Sequence, residues 1–206
     1  MRKIALLWAT VLLLSCGEEK KILLPKADVT LVKQVDDLST IDMFFKVENN
    51  DTMADVNKST VITTTNWVFN IDKRLPLKTI VPEIIKLQEK KRKKSKGETA
   101  TTQNYFSYAD SIGKNLAFVS FTNTQYKLEQ PKDGIIVFID KKDRVFVNDS
   151  LVQRKDLQQF IVNHNLDLQP VHYCFDQKML YGNYLLNRLF LNSVEHKKVS
   201  FDEFVY

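Results

Sequence analysis

Glycine is scarce in this chain: Gly17, Gly97, Gly113, Gly134 and Gly182 are the only five among 206 residues, and each stands alone. Neither a G-x-x-x-x-G-K phosphate loop nor a G-x-G-x-x-G dinucleotide turn can be assembled from them, which excludes the common nucleotide-dependent enzymes. Two cysteines (Cys16, Cys174) and three histidines leave no C-x-x-C and no H-E-x-x-H pair, so no metal site and no cofactor is expected. Long apolar runs are missing as well. The apolar stretch at residues 4–14 has 11 residues, against the roughly 20 that a bilayer-spanning helix requires. What is present is globular: 44% hydrophobic and 27% charged residues suffice for a core.

The uncharged stretch follows Arg2 and Lys3 and has the build of a cleaved secretory signal, residues 1–15. Its end, Leu13-Leu14-Ser15-Cys16, resembles the lipobox of bacterial lipoproteins. That resemblance implies cleavage before Cys16, lipidation of Cys16, and a tether over residues 16–27. The alternatives are a plain signal peptide and a cytosolic protein with an apolar start. Each buried methylene of an attached acyl chain contributes about 0.8 kcal/mol, so a multiply acylated terminus stays in the membrane. The expected location is the bacterial cell envelope, on the periplasmic side or at the cell surface. Gly17-Glu18-Glu19 resembles the surface-export signals of some Bacteroidetes lipoproteins and equally suits a solvated tether. Lipidation of Cys16 leaves Cys174 without a disulfide partner, so stability must come from packing.

Charge is uneven. Without Arg2 and Lys3 the chain carries 28 basic and 25 acidic residues. Seven of the cations (Lys86, Lys90, Lys91, Arg92, Lys93, Lys94, Lys96) fall within eleven residues, and without that segment the count is 21 against 24. The run contains no aromatic residue for base stacking, so no nucleic-acid partner is expected. It suits a solvated helix end, where cations complement the negative pole of the helix dipole. Its other reading is a binding patch, Lys90, Lys91, Arg92, Lys93 and Lys94, for anionic headgroups or a cell-wall polymer.

Alternation of apolar residues predicts strands at 29–32, 43–47, 61–64, 67–71, 104–109, 116–121 and 124–128, with turns at 36–40, 49–51 and 111–114. Helical spacing of Ile80, Val81, Ile84, Ile85 and Leu87 predicts a one-sided helix over 77–94, with Pro82 near its start. The turn-rich Gln130-Pro131-Lys132-Asp133-Gly134 marks a boundary, which gives a strand-rich α+β region over 28–130 and a second unit over 131–206. The second unit reads as strands at 135–140 and 144–148, a helix at 154–163, a strand at 170–175, a helix at 178–192 and a strand at 199–205. The fold class is α+β: a strand-rich first half with one long helix, then a β-β-α-β-α-β module. An internal echo aligns Val68-Phe69, Asp72, Val81, Ile84 and Ile85 with Val145-Phe146, Asp149, Leu157, Phe160 and Ile161, counting one gap. Duplication and a generic α/β pattern both account for it.

The pieces Ile135-Ile136-Val137-Phe138-Ile139-Asp140, Val145-Phe146-Val147-Asn148, Leu157, Asp176, Tyr181-Gly182 and the strand near Val199 resemble, in order and spacing, the periplasmic domain of the ExbD/TolR family of biopolymer transport proteins. Leu24-Pro25-Lys26-Ala27 resembles the linker that follows that family's membrane helix. The resemblance implies a module that self-associates, hence a homodimer, and that touches the cell wall or an envelope protein complex. The family's proton-conducting membrane helix has no counterpart here, so the motor does not carry over.

His164, His172, Cys174 and Asp176 form one cluster that could carry chemistry. Strand alternation puts His172, Cys174 and Asp176 on one face. A Cys174/His172 nucleophilic pair would make an envelope hydrolase, whereas the structural alternative is a small buried Cys174, a partly buried His172 and Asp176 capping the next helix. His196 sits in a polar turn. Asp72, Asp140 and Asp143 are explained by turn chemistry, and Trp67, Phe69, Phe118 and Phe121 by core packing. The chain is therefore expected to be non-enzymatic: a lipid-anchored envelope scaffold or binding component, accessory to an ExbB/TonB-like transport complex.

Overall fold

The computed structural model describes residues 20–59, 61–94, 102–164, 169–194 and 199–206. Among these residues twelve strands and three α-helices follow in the order β1 (Lys26–Ala27), β2 (Leu38–Glu48), β3 (Asp51–Asn57), β4 (Asn66–Ile71), α1 (Leu77–Lys94), β5 (Asn104–Asp110), β6 (Asn115–Ser120), β7 (Gln125–Lys127), β8 (Ile135–Ile139), β9 (Val145–Val147), β10 (Ser150–Val152), α2 (Leu157–His164), β11 (Val171–Phe175), α3 (Tyr181–Leu191) and β12 (Val199–Val205). The fold is α+β. The first sheet has the order β1-β5-β4-β2-β3, with β6 also paired to β5, and the second has the order β10-β9-β8-β11-β12-β7. Residues 125–127, which the turn signal at 130–134 leaves on the first side, thus belong to the second sheet.

Local chemistry accounts for the hairpins. Asn49 and Asn50 (φ 51° and 64°) close β2 on β3, and Asn148 and Asp149 (φ 44° and 65°) close β9 on β10. Two consecutive left-handed residues give the turn whose twist matches the flanking strands, and Asn and Asp tolerate that region best. Two expected strands are absent. Residues 29–32 contribute only a bridge from Val32 to Phe118 and residues 61–64 form a turn. Val32 and Val35 are apolar because they cover Val68 and Phe118 from outside the sheet. Conversely, β3 (DTMADVN) is a half-exposed edge strand whose polar composition carries little alternation. Pro82 is the sixth residue of α1, inside the helix, where it removes one main-chain hydrogen bond.

The two halves repeat each other. In the first, β2, β4 and β5 run parallel, β3 is antiparallel to β2, and α1 joins β4 to β5. In the second, β8, β11 and β12 run parallel, β9 is antiparallel to β8, and α3 joins β11 to β12. The matching segments align without a gap at a spacing of 104 residues: Asp72 with Asp176, Leu75 with Met179, Leu77 with Tyr181, Ile80 with Tyr184, Val81 with Leu185 and Leu87 with Leu191. Every apolar member of these pairs is buried. This corrects the echo expected from sequence, which set β4 and α1 against β9 and α2, elements with different places in the sheets.

The repeats meet at their own turns. Leu77 N–H donates to Met179 O (2.9 Å) and Tyr181 N–H to Leu75 O (2.7 Å), while Lys78 N–H donates to Gln177 O (2.8 Å) and Gly182 N–H to Lys73 O (3.0 Å). The first N–H groups of a helix lack intrahelical acceptors, and here each helix start is satisfied by the other's turn. A Cβ on Gly182 would lie 3.1 Å from Lys73 Cβ, so this crossing needs a small residue. One hydrophobic cluster, from Ile41 and Trp67 to Val137 and Val205, spans both sheets.

Candidate functional site

The segment joining the sheets crosses the seam between the halves. Phe121 stacks on Phe106 (centroids 3.8 Å apart, planes at 7°), Thr122 Oγ1 accepts from Asn104 N–H (2.8 Å), and Thr124 O accepts from Gln88 Nε2 (3.1 Å). These contacts fix residues 121–124 against the first half. Between that segment, the residues from Arg188 to Val194, and Ser200, Phe201 and Glu203 of β12 lies a cleft of about 390 Å³.

A buried polar network forms its floor. Tyr126 and Tyr184 share a hydroxyl hydrogen bond (2.8 Å), Tyr184 donates to Glu203 Oε2 (2.6 Å), and Arg188 Nη1 pairs with Glu203 Oε1. Arg188 Nη2 donates to Thr124 Oγ1 (2.8 Å) and Ser120 O (3.2 Å), tying α3 to the joining segment. Its buried Nε has no hydrogen-bond partner among the described residues. Burial, then the Glu203 charge, raises the pKa of both Tyr126 and Tyr184, so both stay protonated. Burial also opposes the Arg188 charge, but Glu203 and the tyrosines outweigh it and the guanidinium is held protonated. The side chains of Arg188 and Glu203 keep 13% and 11% of their surface exposed, so both ends of the pair are reachable from the cleft.

The sequence carried a signal for this site. Arg188 continues the buried helical stripe Tyr181, Tyr184, Leu185 and Leu191, and Glu203 alternates with Phe201 and Val205. Polar residues at positions where the period demands apolar ones are the mark of a specialised interior.

The residues singled out from sequence are scattered. Cys16, Lys96 and His196 lie outside the described residues, as does the side chain of Lys94. Lys90, Arg92 and Lys93 are exposed on the last turns of α1, but Lys91 is not. Its ammonium enters the seam 4.8 Å from the Trp67 ring centroid and donates to Asn104 Oδ1 (3.0 Å) and Gln103 O (3.1 Å). The solvent-facing patch therefore loses Lys91, because that position falls on the stripe Ile80, Ile84 and Leu87.

Cys174 is fully buried, and its Sγ donates to the His172 carbonyl (3.7 Å). Burial pushes the thiol up to about 12, so it is protonated at neutral pH. The His172 ring meets Phe204 edge-on (5.2 Å), with Nε2 3.7 Å from Asp133 Oδ1. His164 stacks on Phe160 one helical turn away (4.0 Å). Asp176 organises the turn before α3 by accepting Lys178 N–H (2.7 Å), while Leu180 occupies the N-cap position it was expected to fill. Asp72 and Asp140 bind Arg74 and Arg144 (2.8 and 2.6 Å), and Asp143 accepts from Asn183 and Asn187 (3.1 and 2.8 Å). Trp67, Phe69, Phe118 and Phe121 are buried. No described helix is long and apolar enough to cross a membrane. Comparisons with protein-family models, curated proteins and solved structures find no match for this chain.

Proposed function

We propose that the chain is a lipid-anchored protein of the bacterial cell envelope with a non-enzymatic scaffold or binding role, accessory to an ExbB/TonB-like transport complex. The observation that carries this reading is the internal repeat. Part of what underlies the resemblance of residues 134–206 to the ExbD/TolR periplasmic domain, the strand pair, parallel strand, helix and parallel strand without the helix at Leu157, occurs twice, joined by reciprocal bonds between Lys73–Lys78 and Gln177–Gly182. On this reading the pairing of the two halves stands in for the self-association that the resemblance implies, and the outer surfaces are left for other partners. The tether agrees with a membrane-proximal placement. Leu23 N–H is bound to Asp72 and Pro25 O to Ala109 N–H, so the fold begins at once. Three residues separate Cys16 from Lys20, a reach of about 14 Å when extended. The rival reading, a hydrolase using Cys174 and His172, needs a thiolate that a buried thiol raised to about 12 does not supply.

Metabolic labelling with palmitate should mark the wild-type chain and not Cys16→Ala; label that persists in the variant refutes the anchor. Crosslinking in intact envelopes should then recover integral membrane proteins of the ExbB type, and their absence refutes the accessory role. The exposed cations give a separate readout. Lys90→Gln, Arg92→Gln and Lys93→Gln together should weaken binding of the unlipidated chain to anionic vesicles by up to about 3 kcal/mol at low salt, at about 1 kcal/mol per cation. Equal vesicle binding by the triple variant makes the run a solvated helix end.

A further inference from the structure

The tether enters at one end of the fold, and the two long helices lead away from it. Leu23 N–H is bound to Asp72 at the close of β4, and Lys26–Ala27 pairs with Ala109–Asp110 at the close of β5. At that end α1 and α3 start, where their turns exchange backbone bonds. They finish at the other. Lys91 reaches Gln103 and Asn104 at the start of β5, and Arg188 reaches Ser120 and Thr124, in the segment that Thr122 ties to Asn104. β2 and β4 run parallel to β5, and β8 and β12 run parallel to β11, which leads into the turn before α3. All of these strands therefore end toward the tether.

The turns at this end share one chemistry. Those that follow β4, β5, β8 and β11 carry Lys73, Lys114, Lys141, Lys142 and Lys178, all exposed, and no exposed acid. Asp72 and Asp140 are buried against Arg74 and Arg144, and Asp143 and Asp176 are half-buried. Exposed acids such as Asp28, Glu48 and Asp51 stand on other segments, and the tether is neutral, with Glu18 and Glu19 against Lys20 and Lys21. Beside Lys114 stands Ile112, 72% exposed on a braced tip: Asp110 Oδ1 accepts from Ile112 N–H (2.9 Å) and Gly113 N–H (2.8 Å), and Ser111 N–H donates to Ala27 O (2.8 Å). Leu180, also exposed, shares its turn with Lys178. A lone exposed apolar side chain means little. Two of them among lysines, at the end that holds the tether, match an interfacial surface, with apolar groups below the headgroups and cations level with the phosphates. We infer that these turns form a face that rests on an anionic phospholipid bilayer, Ile112 and Leu180 entering the acyl boundary. This rests on the lipid anchor of the proposed function, which selects one end of a chain that could otherwise approach by either. The 18 residues of α1 span about 27 Å, so Lys90, Arg92 and Lys93 then face away from that bilayer.

Residues 16–206 coupled through Cys16 to a maleimide phospholipid, in vesicles of phosphatidylglycerol and phosphatidylcholine, supply the anchor chemically; Cys174 is buried and does not compete. Ile112→Trp and Lys93→Trp place the same probe at the two ends, and the parent chain gives the Trp67 baseline. Both positions are exposed, so both variants should unfold at the parent's midpoint. Brominated acyl chains should quench the added emission of Ile112→Trp and leave that of Lys93→Trp unchanged, while acrylamide in the aqueous phase should do the reverse. Adding Lys114→Gln, Lys141→Gln, Lys142→Gln and Lys178→Gln, or replacing all phosphatidylglycerol by phosphatidylcholine, should weaken the bromine quenching. Equal access of acrylamide to both probes, bromine quenching of both or of neither, or quenching indifferent to the lysines and to lipid charge would each overturn the assignment. Quenching of Ile112→Trp on coupled vesicles, together with no palmitate label in cells, would remove the natural anchor and leave the bilayer-facing surface standing.

Discussion

Lys91 shows how far one residue can depart from its neighbours in a charged run. Desolvation pushes its pKa from 10.5 down to about 8. Between those values the unfolded chain holds a proton that the folded chain has released, so stability rises with pH across that window and is level below it. The neutral amine still donates to Gln103 O and Asn104 Oδ1. The urea midpoint of the unlipidated chain should therefore rise from pH 7.5 to 9.5 by the equivalent of about 1–2 kcal/mol, and Lys91→Met should lack that rise; parallel pH profiles would sink this account. Above about pH 10 the buried phenols of Tyr126 and Tyr184 reverse the trend, because unfolded tyrosines ionise first. Asp72 has the same sign in the acid range. Burial pulls its carboxyl up, but hydrogen bonds from the Arg74 side chain and backbone and from Leu23 outweigh this and leave it lowered. Its contribution is present above the unfolded value and lost as pH falls through the folded one. Asp72→Asn should cost about 1–3 kcal/mol at pH 7, and the gap to wild type should close in acid. A gap that persists at pH 2 would assign the loss to shape rather than charge.

At the scale of elements, α1 and α3 pack by the same stripe with different interiors. Glu203→Ala would leave Arg188 buried without its partner, a loss of about 3–5 kcal/mol. Exchanging both charges for apolar residues of similar volume, Arg188→Met with Glu203→Leu, should recover most of it, because the first half carries only apolar residues at the same positions. Urea unfolding of the two single variants and the double variant forms the cycle that reads this. A double variant as unstable as Glu203→Ala would mean that the pair positions α3 in a way packing cannot replace.

The whole molecule should unfold as one unit, because a single apolar cluster crosses the seam and each helix start depends on the other half's turn. Residues 16–206 with Cys16→Ser offer a reporter in each half: Trp67 is then the only tryptophan and Cys174 the only cysteine, both buried and in different sheets. Trp67 fluorescence and Cys174 labelling by a polar thiol reagent should give coincident midpoints in urea. Midpoints that separate would show two independently folding halves.

What depends on near neighbours was legible in the residues alone. The 3.6-residue stripe of α1, the Asn49-Asn50 turn, the aspartates of the turns and the β-β-α-β-α-β order after residue 134, to which the structure adds β10 (Ser150–Val152), are written in patterns a few residues long, because backbone dihedrals and side-chain faces answer to local chemistry. The same stripe already held Lys91 and Arg188 at inward positions, but it could not say what they would meet. Arg188 finds Thr124 from 64 residues away and Ser120 from 68, and Lys91 finds Trp67 through the pairing of β4 with β5. Those meetings are set by how the two sheets close on one core. The repeat at 104 residues was hidden for a related reason: it preserves burial and turn geometry while exchanging Ile80 for Tyr184 and Ile84 for Arg188. Only the tertiary structure, where shape and not residue identity is compared, brings the two halves into register.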